Sequence, residues 1–416
     1  MKDYIRNIKG TKDILMDESF VWIFLENYIH NFFQKFGYKE LRTPTFENTN
    51  LFSRSIGSDT DIVSKEMYSW IDQGNNSLTL RPEFTAPVVR SYIQNQLGKQ
   101  NKSHKLYYMG SLYRRERPQK GRFRQFEQFG VEAFGSEFPQ QDAEIISMAY
   151  QLYDSFNIKD LKLKINSIGS KESRAKYKEE LQKYLIQYQD KLTDISNKRL
   201  ETNPLRILDT KIDFEIKIIE NAPKIIDFLD KDDKQHFQEV LDFLDKIKIP
   251  YTIDDYLVRG MDYYSRTVFE IQSDALGAQS ALCGGGRYDY LVEELGGDNT
   301  PAIGFAAGFE RLIMAMNIDK ASLIKNPDIY IIAIGNAAIK YSFNIAQELR
   351  SKKNLIVIND TLQRSLKSQM KDANRLNASH VIIIGDDEIK SQMASVKNMT
   401  TGHQEDVSLS KIIDYF

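Results

Sequence analysis

Two runs rich in Tyr, Phe and Val, KLYYMGSLYRRE at 105–116 and FRQFEQFGVEAF at 123–134, flank a short segment punctuated by Pro118 and Gly121. No other stretch constrains the fold as much, because strand-forming runs on either side of turn residues predict two antiparallel strands joined by a loop. Side chains of a strand alternate between its faces. Counting by two puts Arg114 and Glu116 with Phe126, Gln128 and Glu132 on one face, and Phe123, Phe129, Val131 and Ala133 on the other. The second set reads as core. The first is polar in mid-strand, where each buried polar group must find a partner, and predicts a site floored by a sheet.

The loop carries Arg114, Arg115, Arg117, Lys120, Arg122 and Arg124 against Glu116 alone, in a chain whose formal net charge is only −2. Like charges held together repel, and a nucleoside triphosphate or a nucleic acid offsets that cost. A solvated surface loop is the plain alternative, and the polar mid-strand face argues against it.

At 416 residues the chain is long enough for two or three domains. A helix is expected over 18–36, with Val21, Leu25, Tyr28 and Phe32 at helical spacing and Gly37 as its stop. TPTFENTNLF then reads as a bend into extended chain, and strand signals run through SLTLRPEFTAP and the hairpin to LKLKINSIG, ending near 169. From 170 to 249 the composition shifts to Lys, Glu, Asp and Leu with few glycines, the pattern of a helical insertion with solvated faces. Strand character returns over 250–320. A linker lies near 321–327, and over 328–416 strand and helix alternate as in a small α/β domain. Its second helix aligns Arg364, Lys367, Lys371 and Arg375 on one side, with Leu366, Met370 and Ala373 expected on the buried side.

The longest apolar runs, IYIIAI and VIII, are strand-sized, so no membrane span is expected. Residues 1–15 mix Lys, Arg and Asp without an apolar run, which predicts no secretory signal and a cytoplasmic location. Cys283 alone excludes an internal disulfide, and five scattered histidines make a His/Cys metal site improbable.

Several separated segments, GTKDIL, RTPTFE, LRPEFTAP, YRRERPQKGRFRQF, LVRGMDYYSRTVFE, CGGGRYD and GFAAGFERL, resemble in order the motifs of the class II histidyl-tRNA synthetases. The resemblance places class II motifs 1, 2 and 3 at Pro44, Arg114 and Arg311. It implies an α+β catalytic domain on an antiparallel sheet (1–169 with 250–320), interrupted by the helical insertion (170–249) and followed by a C-terminal α/β anticodon-binding domain (328–416). The implied reaction joins L-histidine and ATP into histidyl-adenylate and pyrophosphate, then moves the histidyl group to the 3′ end of tRNA(His), with Mg2+ accompanying the triphosphate and a homodimer as the working form. Arg259 and Arg114 match the catalytic pair. Glu116, Arg122, Phe126 and Arg311 match ATP contacts. Glu83, Thr85, Gln128, Glu132, Tyr263, Tyr264 and Tyr288, together with the two arginines, match the histidine pocket, and Gln119 and Lys120 the tRNA acceptor end. No residue is assigned to a metal. Phe84 and Pro87 stand where the family usually has glycine, putting the local loop geometry in doubt, and Met16 replaces a common proline. The rival is a regulatory paralogue of histidine biosynthesis that binds histidine without tRNA; such chains lack the C-terminal domain and erode the arginines that persist here.

Overall fold

The computed structural model describes residues 4–57, 60–118, 121–277 and 280–416. They divide into two compact units, Met1–Asp319 and Lys320–Phe416.

An eight-stranded sheet organises the first unit: β1 (Lys39–Glu40), β5 (His104–Tyr113), β6 (Gln125–Phe134), β7 (Leu161–Ser167), β8 (Thr252–Ile253), β9 (Ser265–Ser273), β10 (Ala281–Arg287) and β11 (Ala302–Gly308), in the spatial order β1-β5-β6-β11-β10-β9-β7-β8. Strands β2 (Phe46–Asn48), β3 (Tyr68–Ile71) and β4 (Ser77–Leu80) form a small separate sheet. All pairs of the large sheet are antiparallel except β1 with β5 and β7 with β8 at its edges.

The predicted hairpin is β5 and β6, in a register that pairs Tyr113 with Gln125 and Gly110 with Gln128. Phe129, Val131 and Ala133 are buried, as their shared face requires. Helix α1 (Ser19–Lys35) covers that face: the Phe33 ring lies 5.5 Å from Tyr107, 6.2 Å from Phe129 and 6.2 Å from Phe305. Its buried stripe is Val21, Leu25, Ile29, Phe32 and Phe33, and Gly37 past its end takes a φ of 79°.

Two local readings are corrected, and one helix was not foreseen. The segment after Phe46 is extended only to Asn48, whose side chain caps helix α2 (Thr49–Ile56) by accepting the Asn50 N–H at 2.9 Å. Phe123 precedes β6 and lines the open face of the sheet instead of the core, because strand alternation has not yet begun there. Helix α5 (Pro139–Asp154) gave no sequence signal because it is buried nearly all round and has no apolar stripe; Pro139 sits in its first turn, where a missing N–H costs nothing.

Helices α6 (Lys171–Ile186), α7 (Asp194–Thr202), α8 (Asp213–Ile219) and α9 (Lys231–Lys246) occupy the charged, glycine-poor stretch. Ser170, Thr193 and Asp230 cap the N-termini of α6, α7 and α9. Their Tyr177, Leu181, Leu185, Leu200 and Ile207 share one apolar cluster with Tyr263, Tyr264, Val268 and Tyr288 at the sheet.

The second unit has a five-stranded sheet, in which β12 (Ile329–Ala333) lies between β13 (Val357–Asn359) and β14 (His380–Ile384) in parallel. Two antiparallel strands, Met393–Asn398 and Gln404–Ser408, extend it beyond β14. In the helix Leu366–Arg375, Ala373 is buried and Met370 packs against the same core as expected, but Leu366 is exposed and Gln369 takes the remaining inner place. Gln369 is buried because its amide bonds the N–H and C=O of Ala333 and the C=O of Arg364. On the basic side Arg364 pairs with Asp360 and Asp372, and Arg375 with Asp372, so half of that edge is internally neutralised.

Candidate active site

A cleft of about 840 Å3 opens on the face of the sheet opposite α1. Arg114, Glu116, Arg122, Phe126 and Arg311 line it, as do Glu83, Thr85, Gln128, Glu132, Arg259, Tyr263, Tyr264 and Tyr288. These come from the hairpin, from the start of helix α3 (Thr85–Gln94) and the residues before it, from the irregular loop 254–264, from the end of β10 and from the helix Phe309–Ala315 that follows β11. The two acceptor-end residues expected from the sequence, Gln119 and Lys120, lie outside the described residues.

Glu132 sits at the closed end of the cleft. Its carboxylate accepts hydrogen bonds from Thr85 Oγ1 at 2.8 Å, Tyr108 OH at 3.2 Å and Tyr288 OH at 2.5 Å. The residue across from it on β11 is Gly304, where a Cβ would fall 1.8 Å from Glu132 Oε2, so only glycine leaves room for the acid. Glu83 accepts the N–H groups of Thr85 at 2.6 Å and Ala86 at 2.8 Å at the start of α3. Burial pushes the Glu83 carboxyl up, with those N–H groups opposing. Two buried acids near each other favour a cationic guest. Among the described residues the buried Gln128 Oε1 has no hydrogen-bond partner, so the cleft presents an acceptor suited to a donor on a guest.

Burial raises the Glu132 carboxyl from its ordinary 4.5 to about 8, against hydrogen bonds from Tyr288 and Thr85. A raised carboxyl pKa means that the folded chain keeps a proton the unfolded chain has lost. Its contribution to stability is therefore complete below the ordinary value and is lost as pH climbs through the raised one. Glu132→Gln copies the protonated form and removes that slope. Its denaturant midpoint is expected to match the parent's near about pH 5 and to exceed it at about pH 9; parallel profiles would mean an acid ionised throughout.

The arginines stand toward the mouth. Arg114 donates from Nε to the Pro82 C=O at 2.8 Å, its guanidinium carbon lies 5.4 Å from the Phe126 ring centre, and its Nη1 is 3.8 Å from Glu116. Glu116 also pairs with Arg122 at 3.1 Å. Arg311 donates to the Ala281 C=O at 2.5 Å, and desolvation, then the neighbouring Arg122, lower its pKa. Arg259 lies flat on β10, where a Cβ at Gly284 would meet its Nη2 at 2.0 Å. Its Nη1 pairs with Glu270, while its buried Nε has no partner among the described residues. Desolvation opposes the Arg259 charge, but the Glu270 carboxylate outweighs it and the pKa is raised. Sequence reading missed Glu270, six residues beyond the loop on β9, because a lone strand Glu carries no signal until its partner is seen.

The two departures at the start of α3 leave the cleft unchanged in character. Phe84 turns away and stacks on Tyr108 at 4.4 Å, beneath the Arg81 guanidinium. Pro87 falls in the first turn of α3, where no intrahelical N–H bond is lost. Met16 is exposed.

A mainly antiparallel sheet bearing an arginine-lined cleft on one face and a covering helix on the other is the catalytic architecture of the class II aminoacyl-tRNA synthetases. The profile described as "Histidyl-tRNA synthetase" matches residues 10–312, and that described as "Anticodon binding domain" matches 328–416. The chain is 50% identical to the histidine–tRNA ligase of Acetivibrio thermocellus over 97% of both chains, and 46% identical to that of Staphylococcus haemolyticus over 99% of both. The crystal structure of apo Staphylococcus aureus histidyl-tRNA synthetase superposes with a TM-score of 0.84 at 40% identity, covering 99% of this chain and 100% of that one. The chain belongs to the histidyl-tRNA synthetase family.

Proposed function

We propose that this chain is a histidine–tRNA ligase that works through the cleft residues described above. The observation that carries the reading is the meeting, in one cavity, of Arg114 and Arg259 with the Glu83 and Glu132 acids. The histidine ammonium faces Glu83, Thr85 and Gln128, and the imidazole reaches Glu132 with Tyr263, Tyr264 and Tyr288 around it. Adenine lies between Phe126 and the Arg311 guanidinium, with Glu116 toward its amino group and Arg122 toward the outer phosphates.

In the first step the histidine carboxylate oxygen forms a bond to the α-phosphorus as the bond to the bridging oxygen of pyrophosphate breaks. Two anions are brought together and charge grows on the phosphate oxygens, so positioning and fixed positive charge are the means available. Arg114 is oriented by the Pro82 carbonyl, which leaves its terminal nitrogens for the carboxylate and phosphate. Arg259 approaches the same phosphate from the β10 side. In the second step a terminal ribose hydroxyl of tRNA(His) attacks the acyl carbon and AMP departs. Mg2+ accompanies the triphosphate substrate, held largely by phosphate oxygens and water.

The division of labour follows the family: catalysis in 1–169 with 250–320, the helices of 170–249 against tRNA, and 328–416 on the anticodon. Exposed Phe46, Trp70 and Ile71 on the small sheet beside RTPTFE favour a homodimer joined there. No described helix is long and apolar enough to cross a membrane. The single, buried Cys283 fits the reducing cytoplasm.

A chain titled as an ATP phosphoribosyltransferase regulatory subunit/histidyl-tRNA synthetase from Bacillus halodurans C shares the fold at 22% identity and a TM-score of 0.66. Retention of both arginines and of the anticodon-type unit favours the enzyme over a regulatory role. The pure protein is expected to support histidine-dependent exchange of pyrophosphate into ATP. No exchange in the presence of tight histidine binding would favour the regulatory alternative.

A further inference from the structure

Residues 254–264 form neither helix nor strand, yet they carry Arg259, Tyr263 and Tyr264 into the cleft. Irregular backbone holds side chains to the tolerance that catalysis demands only when outside contacts fix it. The first half of the loop is fixed by Asn166, whose amide donates to the carbonyls of Asp255 and Leu257 at 3.2 Å each. The second half is fixed by side chains of the helical segment, and their target is Asp262.

Asp262 does not line the cleft. Its Oδ1 accepts from Asn203 Nδ2 at 2.9 Å and its Oδ2 from Arg206 Nη2 at 2.7 Å. Arg174 on α6 adds bonds from one nitrogen to the backbone carbonyls of Tyr264 at 2.6 Å and of Asp262 at 3.3 Å. Three residues between 170 and 249 thus grip the stretch 262–264, which contains the two tyrosines and begins three positions after Arg259. The Asp262 side chain is 39% exposed, so its carboxylate stays solvated when Arg206 is neutralised and the fold loses little. Their charge-assisted hydrogen bond has a defined direction, and direction is what the loop lacks.

We infer that Asp262 is a positioning residue for histidine activation, the point at which the helical segment sets the loop carrying Arg259, Tyr263 and Tyr264. The inference rests on the ligase reading proposed above. It predicts that Arg206→Gln, a change that touches no substrate, impairs the use of histidine. The test compares the parent, Arg206→Gln, Asp262→Asn and the double variant as full chains. The readouts are pyrophosphate exchange with each substrate varied, histidine calorimetry and thermal melting.

Each single change is expected to lower kcat/KM for histidine about tenfold, with KM for ATP held within about twofold and the melting temperature little moved. The double variant should be no worse than the poorer single, since both break one contact. Arg206→Lys, which keeps a charged donor, should recover part of the loss. Single variants that stay within about twofold of the parent, additive losses, or equal losses for both substrates together with a lowered melting temperature would overturn the inference. Failure of the parent to exchange would overturn the ligase reading instead, and the ratio of histidine affinities would still decide the role of Asp262.

Discussion

Arg259→Ala is expected to slow formation of histidyl-adenylate by about 10²- to 10³-fold, the usual cost of losing one preorganised group at a centre where charge develops. The geometry makes the loss specific to the transition state. Arg259 is held by Glu270 through Nη1 and lies over Gly284, so its position is set before substrate arrives. It pays no reorganisation as the phosphorus becomes crowded. Among the described residues its Nε is buried with no hydrogen-bond partner. Arg259→Lys should recover little, because a single ammonium cannot keep Glu270 and reach the phosphate at once. Single-turnover kinetics with histidine and ATP separate this effect from binding: the rate constant should fall while histidine affinity changes much less. A fall of less than about fivefold would remove Arg259 from the chemistry.

The second large effect concerns stability. Asp142 on α5 and Arg287 at the end of β10 are both fully buried and form an ion pair, in which Arg287 Nε donates to Asp142 Oδ1 at 3.0 Å. Thr267 Oγ1 and His236 Nε2 each lie 2.7 Å from Asp142 Oδ2. Burial opposes the Asp142 charge, but Arg287 and then His236 outweigh it and hold the carboxyl below its ordinary range. Asp142→Ala leaves a guanidinium in the core with one carboxylate fewer, and removing one partner of a buried pair costs about 3–5 kcal/mol. Arg287 retains Asp289 at 3.0 Å and the Ser136 carbonyl at 2.8 Å, which places the expected loss at the lower end. Denaturant unfolding measures it; a loss below about 1 kcal/mol would show that these remaining partners suffice. Tyr288, which bonds Glu132, follows Arg287 directly, so the surviving folded protein should also bind histidine more weakly.

The hairpin was legible because strand alternation is a strict geometric rule: once Phe129 and Val131 point to the core, Gln128 and Glu132 must point the other way. The rule applied only where the strand exists, and it failed at Phe123 for that reason. The cleft residues of the RGMDYY and GGGRYD segments were named from motif resemblance, not from periodicity, and their geometry became visible only when the loop was seen folded over β10. Contacts between distant segments left no local trace. Asp142 and Arg287 are 145 positions apart, and Asp262 meets Asn203 and Arg206 from 59 and 56 positions away. Helical spacing placed Met370 and Ala373 of Leu366–Arg375 correctly but missed Gln369, since a buried Gln with a fully engaged amide is indistinguishable in sequence from a solvated one.

In the function proposed above, two arginines far apart in the chain act on one phosphorus atom. A crystal structure with a non-hydrolysable histidyl-adenylate analogue tests this. The guanidinium groups of Arg114 and Arg259 are expected both to donate to oxygens of the analogue's single phosphate, with the imidazole against Glu132. An analogue bound in the cleft with either guanidinium turned away from that phosphate would contradict it.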